Sequence, residues 1–145
     1  MHDDVLASLA GVADALVALP GDAFERRPAP DEWSVAQVIG HLRAADAIWR
    51  PRILFALVHD GLPLPDVDER LLQTVLDDGG LDVAAQVLAY AFGRAELCGV
   101  LAAADGDAWS RTFVHSTFGA ISVLDACQMV IGHEAEHLAQ IRAAQ

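Results

Sequence analysis

The segment His133-Glu134-Ala135-Glu136-His137 carries two histidines four positions apart, and a third, His41, stands 92 positions before His133. Residues four apart share a helix face, so His133 and His137 can aim two imidazoles at one spot. Two ring nitrogens from one helix and a third from another make a metal site with a position left open. Such a site lowers the pKa of a bound water or thiol and prepares it for attack on an electrophile. His41 lies in an apolar run, Val38-Ile39-Gly40-His41-Leu42, where a polar ring is costly to bury unless it is paired or ligates a metal.

His133-Glu134-x-x-His137 also has the form of the zinc-protease motif, in which the Glu serves as general base. A zinc protease takes its third ligand from downstream, however, and only Leu138 to Gln145 follow, with no good ligand among them. The Gly and third His of the extended motif are absent too. The peptidase reading is therefore set aside. Glu134, about 100° round the helix from His133, stays as the only candidate catalytic carboxylate in that motif. A solvated acidic face is the plainer role for Glu134 and Glu136. His2 and His59 read as surface residues, and His115 as a candidate for the mouth of the site.

Four helices must position these residues. The first is expected from about Asp4 to Leu19, with Val5, Leu9, Val12, Leu16 and Leu19 at helical spacing and Pro20-Gly21 as its stop. The second starts at Ser34, an N-cap with Gln37 three residues on, and Trp33 and Val38 flank that capping box as a hydrophobic staple. Its stripe of Val35, Val38, Leu42, Ala45 and Trp49 runs on through Ile53 to Val58 and ends near Asp60-Gly61. Pro51 is expected to kink or split it. Leu62 to Gly80 forms a long connection, with a short helix over Glu69 to Leu76. The third long helix is expected from an Asp82 cap to about Ala104, and Trp109 to Ala120 as irregular chain with some extended structure. Ser122 and Asp125 form a second capping pattern, which opens a fourth helix that ends near Ala144.

Four amphipathic helices in one chain of 145 residues describe an all-α, single-domain four-helix bundle over residues 1–145. His41 falls about 9 Å along the second helix, whereas His133 and His137 fall late in the fourth. The three meet only if those helices run antiparallel. That requires an up-down-down-up order and a long crossover between helices two and three, which Leu62 to Gly80 supplies.

The bulk composition narrows the function. The hydrophobic fraction of 54% excludes general disorder. No apolar stretch is long enough to span a bilayer, and the acidic start Met1-His2-Asp3-Asp4 is unlike the basic start of a secretion signal, so a cytoplasmic location is expected. The net charge is −12, with nine Arg and no Lys. Nucleic acid and anionic membranes are thereby disfavoured as partners, because both are bound largely through clustered cations. Cys98 and Cys127 sit in apolar helical patterns and read as buried, reduced thiols. Trp33, Trp49, Phe55 and Tyr90 are either core or pocket lining, and Arg43 and Arg94 either surface charge or contacts for a carboxylate ligand.

Two segments resemble a known family. Asp31-Glu32-Trp33-Ser34-Val35-Ala36-Gln37-Val38-Ile39-Gly40-His41-Leu42 is similar to the second-helix signature of the DinB-like superfamily, which includes the YfiT-like metalloenzymes. Phe118-Gly119-Ala120-Ile121-Ser122-Val123-Leu124, followed by Gly132-His133-Glu134-Ala135-Glu136-His137-Leu138-Ala139-Gln140-Ile141, resembles its fourth-helix signature. The resemblance implies a four-helix bundle in up-down-down-up order and a three-histidine site at His41, His133 and His137. It also implies a divalent transition metal, zinc or nickel foremost and manganese or iron as alternatives. Some members join a low-molecular-weight thiol such as bacillithiol or mycothiol to an electrophile, and dimers are frequent. The leading expectation is a metal-dependent thiol S-transferase that acts on a small-molecule substrate as a homodimer. The alternatives are a metal-dependent hydrolase, with Glu134 or Asp46 as base, and a non-catalytic, stress-related metal-binding bundle.

Overall fold

The computed structural model describes residues 2–145. Its helices are α1 (Asp3–Val17), α2 (Val35–Val58), α3 (Glu69–Asp78), α4 (Val83–Ala103) and α5 (Val123–Ala143), and its strands are β1 (Leu62–Leu64), β2 (Thr112–His115) and β3 (Gly119–Ser122). The four long helices make a bundle in which α1 and α2 each pack on both α4 and α5. Val35, Val38, Ile39 and Leu42 from early α2 share one core cluster with Ile141 and Ala144 at the end of α5. Ile53 and Ala56 from late α2 share the other with Val123, Ala126 and Cys127 at the start of α5. The two helices therefore pass each other in opposite directions, which sets His41 level with His133 and His137.

The helix boundaries follow from local chemistry. Ser34 accepts from the Gln37 N–H at 3.2 Å, and Gln37 Oε1 accepts from the Ser34 N–H at 2.8 Å, so both partners of the capping box are satisfied. Asp82 caps α4 through the Ala85 N–H at 2.8 Å, and Ser122 caps α5 through the Asp125 N–H at 3.0 Å. The first helix ends at Val17, two residues before the expected Leu19, and a single tight turn at Gly21–Ala23 follows. Pro51 does not split α2. The hydrogen bond that its missing N–H forgoes is offset by Ile48, Ile53 and Ala56, buried to 8%, 0% and 0% exposure around it.

The long connection is more ordered than expected. Asp68 caps α3 by accepting from the Leu71 N–H at 3.0 Å, and α3 runs two residues past the expected Leu76 to Asp78, lying against α2. Leu62–Leu64, expected as loop, is a strand. It pairs in parallel with β2, Leu62 opposite Phe113 and Leu64 opposite His115. β2 and β3 form an antiparallel hairpin, with Phe113 opposite Ile121. The hairpin closes through Gly119, whose φ of +74° suits a residue without a Cβ. This small sheet caps one end of the bundle with Phe113 at 0% exposure.

Because the capping box fixes where α2 begins, it also fixes the height of His41. Ser34→Ala is expected to cost about 1 kcal/mol of stability, read as a lower urea midpoint with an unchanged slope.

Candidate metal centre

His41 comes from the second turn of α2, and His133 and His137 from successive turns of α5. Their Nε2 atoms converge. His41 Nε2 lies 3.0 Å from His133 Nε2, and His137 Nε2 also lies 3.0 Å from it. All three ligand atoms fall within 4.8 Å of one another. The Nδ1 sides are turned to other groups. His137 Nδ1 meets Gln140 Oε1 at 2.7 Å, a contact that puts the proton on Nδ1 and leaves the Nε2 lone pair free. His41 Nδ1 faces Glu69 Oε1 at 3.2 Å. The edge of Trp33 lies against the His41 ring, 5.4 Å between centroids.

Burial, with neighbouring charge behind it, favours the neutral form of His41 and of His133. The pKa of His41 falls from 6.5 to about 4, first through burial and then through His137, His133 and Arg70 nearby. That of His133 also falls, again chiefly through burial and then through His137. Neutral imidazole is the ligating form. Three inward-facing Nε2 atoms thus make a nitrogen donor set suited to a divalent transition metal.

Two cavities meet the triad. One, of about 240 Å³, is reached by His133 and walled mainly by Trp49, Ile53, Leu97, Met129 and Val130, with Asp46, Arg50, Glu69, Arg94 and Glu134 at its polar side. The other, of about 570 Å³, is a groove reached by His41 and His137 and bordered by Trp33, Asp31, Glu32, Arg70 and Gln140. The two lining sets have no residue in common, so the histidines stand on the partition.

Several residues sit otherwise than their sequence context suggested. Arg94, expected at the surface or on a ligand, is 1% exposed. It donates from Nη1 to Glu134 Oε2 at 2.8 Å and to the Leu9 carbonyl at 2.9 Å, while Nη2 binds Glu134 Oε1 and lies 3.5 Å from Asp46 Oδ1. Glu134, 3% exposed, is therefore no solvated carboxylate, and both of its oxygens are taken by Arg94. Glu136 does lie in solvent. Asp46 accepts from Arg50 Nε at 3.0 Å. His115 is buried away from both cavities, and its Nδ1 accepts from the Thr117 and Phe118 N–H groups at 3.0 and 3.2 Å. Arg43 lines neither cavity, Phe55 is half exposed at 49%, and Tyr90 belongs to the core. Glu69 is the site residue that the sequence pattern missed, because the first residue of a short, polar helix gives no periodic sign of burial.

Two outcomes follow from these environments. His41 and His133 take up protons more readily in the unfolded chain than in the folded one. Folded stability of the metal-free chain is therefore expected to be full above about pH 6.5 and to decline as pH falls towards 4. Urea midpoints in chelator across that range measure the decline, and His41→Gln flattens it. Arg94→Met strands the Glu134 carboxylate and is expected to cost about 3–5 kcal/mol, visible as a large fall in the same midpoint at pH 7.

The comparisons with known proteins agree with this architecture. A search of curated proteins gives no match. Among solved structures, YfiT from Bacillus subtilis superposes with a TM-score of 0.81 at 19% identity, over 97% of this chain and 83% of that one. That protein is described as "a probable metal-dependent hydrolase with an unusual four-helix bundle topology". At this identity the likeness establishes the shared four-helix fold. The family model of the DinB superfamily matches residues 6–141, which take in α2, α5 and all three histidines. The chain belongs to the DinB superfamily.

Proposed function

We propose that His41, His133 and His137 hold a divalent transition metal, and that the chain is a metal-dependent enzyme that joins a low-molecular-weight thiol to an electrophilic small molecule. The observation that carries this reading is the partition. The triad stands between an apolar cavity and a polar groove, an arrangement suited to bringing two unlike reactants to one point. A metal held by neutral imidazoles supplies a Lewis acid that lowers the pKa of a thiol or water. Zinc and nickel suit such nitrogen donors best, with manganese and iron behind them.

The residues of the chain do the rest. Trp49, Ile53, Leu97, Met129 and Val130 give an apolar electrophile a dry seat beside His133. Arg70, Gln140 and the edge of Trp33 give a polar thiol contacts beside His41 and His137. The chain offers no activated thiol of its own. Burial pushes Cys127 up to about 12 and raises Cys98, the opposite of what a nucleophilic cysteine needs. The thiol is therefore assigned to a small molecule such as bacillithiol or mycothiol. The second reading, a metal-dependent hydrolase, draws support from the description of YfiT and from the same open donor set. In either case Glu134 is tied to Arg94, which counts against it as general base.

No helix among the described residues is long and apolar enough to cross a membrane. We keep the cytoplasm as the proposed location and a homodimer as the proposed assembly. Leu88 and Phe92, 64% and 76% exposed on α4, are apolar surface that a dimer interface would cover.

Elemental analysis after loading with zinc, nickel, manganese or iron is expected to find about one metal per chain. His133→Ala is expected to remove it while leaving far-UV helicity intact. Metal content unchanged in that variant would sink the triad. For the reaction, the loaded protein is incubated with an apolar alkylating electrophile, with and without a small thiol, and with ester and amide substrates. Thiol and electrophile consumed together support transfer. Ester or amide cleavage without thiol supports hydrolysis, and neither supports the non-catalytic bundle.

A further inference from the structure

Glu69 opens α3, directly after its Asp68 cap, and so comes from the crossover rather than from the bundle. Its Oε1 lies 3.2 Å from His41 Nδ1. Both atoms are shut off from solvent, and neither has a formed hydrogen bond. Two buried, unsatisfied polar atoms this close are costly apart and cheap together. A single proton on Nδ1 satisfies both and leaves the lone pair on Nε2, the atom that faces His133 Nε2 at 3.0 Å.

We infer that Glu69 is a positioning residue for the site: its carboxylate accepts a hydrogen bond from Nδ1–H of His41 and thereby presents Nε2 to the metal. The inference rests on the proposal that the triad binds a metal. Carboxylate–histidine–metal relays work in this way, fixing tautomer and ring orientation and raising the basicity of the ligand. His41 has special need of one. His133 and His137 are held in register by their shared helix, whereas His41 must be aimed from a different one. His137 has Gln140 on its own Nδ1, so Glu69 supplies the counterpart for the ligand from α2. The crossover then does more than reverse the chain, because it delivers the group that orients the third ligand.

The test measures zinc affinity by competition with a chromogenic chelator for the wild type, Glu69→Leu and Glu69→Gln, with helicity checked by circular dichroism. Glu69→Leu keeps bulk without an acceptor and is expected to weaken binding roughly ten- to a hundred-fold. Glu69→Gln keeps a neutral acceptor and should lose less. Imidazole proton–nitrogen spectra of the zinc-loaded protein should show a His41 Nδ1–H signal that disappears in Glu69→Leu while the His137 signal persists. Wild-type affinity in Glu69→Leu overturns the inference and leaves the triad standing. Equal losses in both variants with the His41 signal retained would assign the effect to packing of α3 and overturn it as well. A wild-type chain that binds none of zinc, nickel, manganese and iron removes the triad, and this role with it.

Discussion

One buried guanidinium touches all four long helices. Arg94 stands on α4 and meets the Leu9 carbonyl of α1, Asp46 of α2 and Glu134 of α5. A charge taken out of water costs several kcal/mol, and only partners with good geometry repay it. The bundle therefore has few ways to close in which both terminal nitrogens of Arg94 find partners, and the observed packing is one of them, with only Nε left unpaired. A stripe of leucines and alanines alone would tolerate sliding of one helix against another. The charged cluster does not, because a shift of one turn would leave at least one carboxylate buried and alone. Glu134 is adjacent to His133 in sequence, so the same cluster sets the height of His133 and His137 on α5.

Much of the fold was legible in the sequence. Ser34 with Gln37, Ser122 and Asp82 each mark a helix start where the structure has one, because capping is decided within four residues. The His133–His137 pair was legible for the same reason, since its spacing is local. His41 could be joined to that pair only through topology, and the long crossover was the clue. What the sequence hid was non-local. β1 is three residues long and contains Pro63, yet it becomes a strand because β2, some fifty positions on, offers it a ladder. Arg94 and Glu134 lie 40 positions apart. The available sign was phase. Arg94 falls on the same helical stripe as Val87, Tyr90, Leu97 and Leu101, all buried, and a charge in a buried stripe calls for a partner on another helix.

The centre also shows how a compact bundle makes room for chemistry. Four helices packed along their whole length would leave no space beside a metal. Here α2 and α5 carry histidines where they approach, and the bundle opens on either side of the contact. On one side Gly93 lets the Arg50 guanidinium lie against α4; a Cβ at that position would come within 2.8 Å of Arg50 Nε. Arg50 is in turn anchored by Asp46. The wall of the apolar cavity is thus charged but largely neutralised by its own ion pairs.

The crossover helix has a thermodynamic character unlike the rest. Not one residue of α3 is fully buried, and it spans only Glu69–Asp78, too short to hold helical structure without its packing against α2. Segments of this kind open far more often than the cores they lean on. Glu69 and Arg70 sit on such a segment, one beside each cavity. The centre can therefore be uncovered by a local excursion that leaves the four long helices folded. The groups that border the histidines from α3 thus have the stability of ten residues, set apart from that of the bundle.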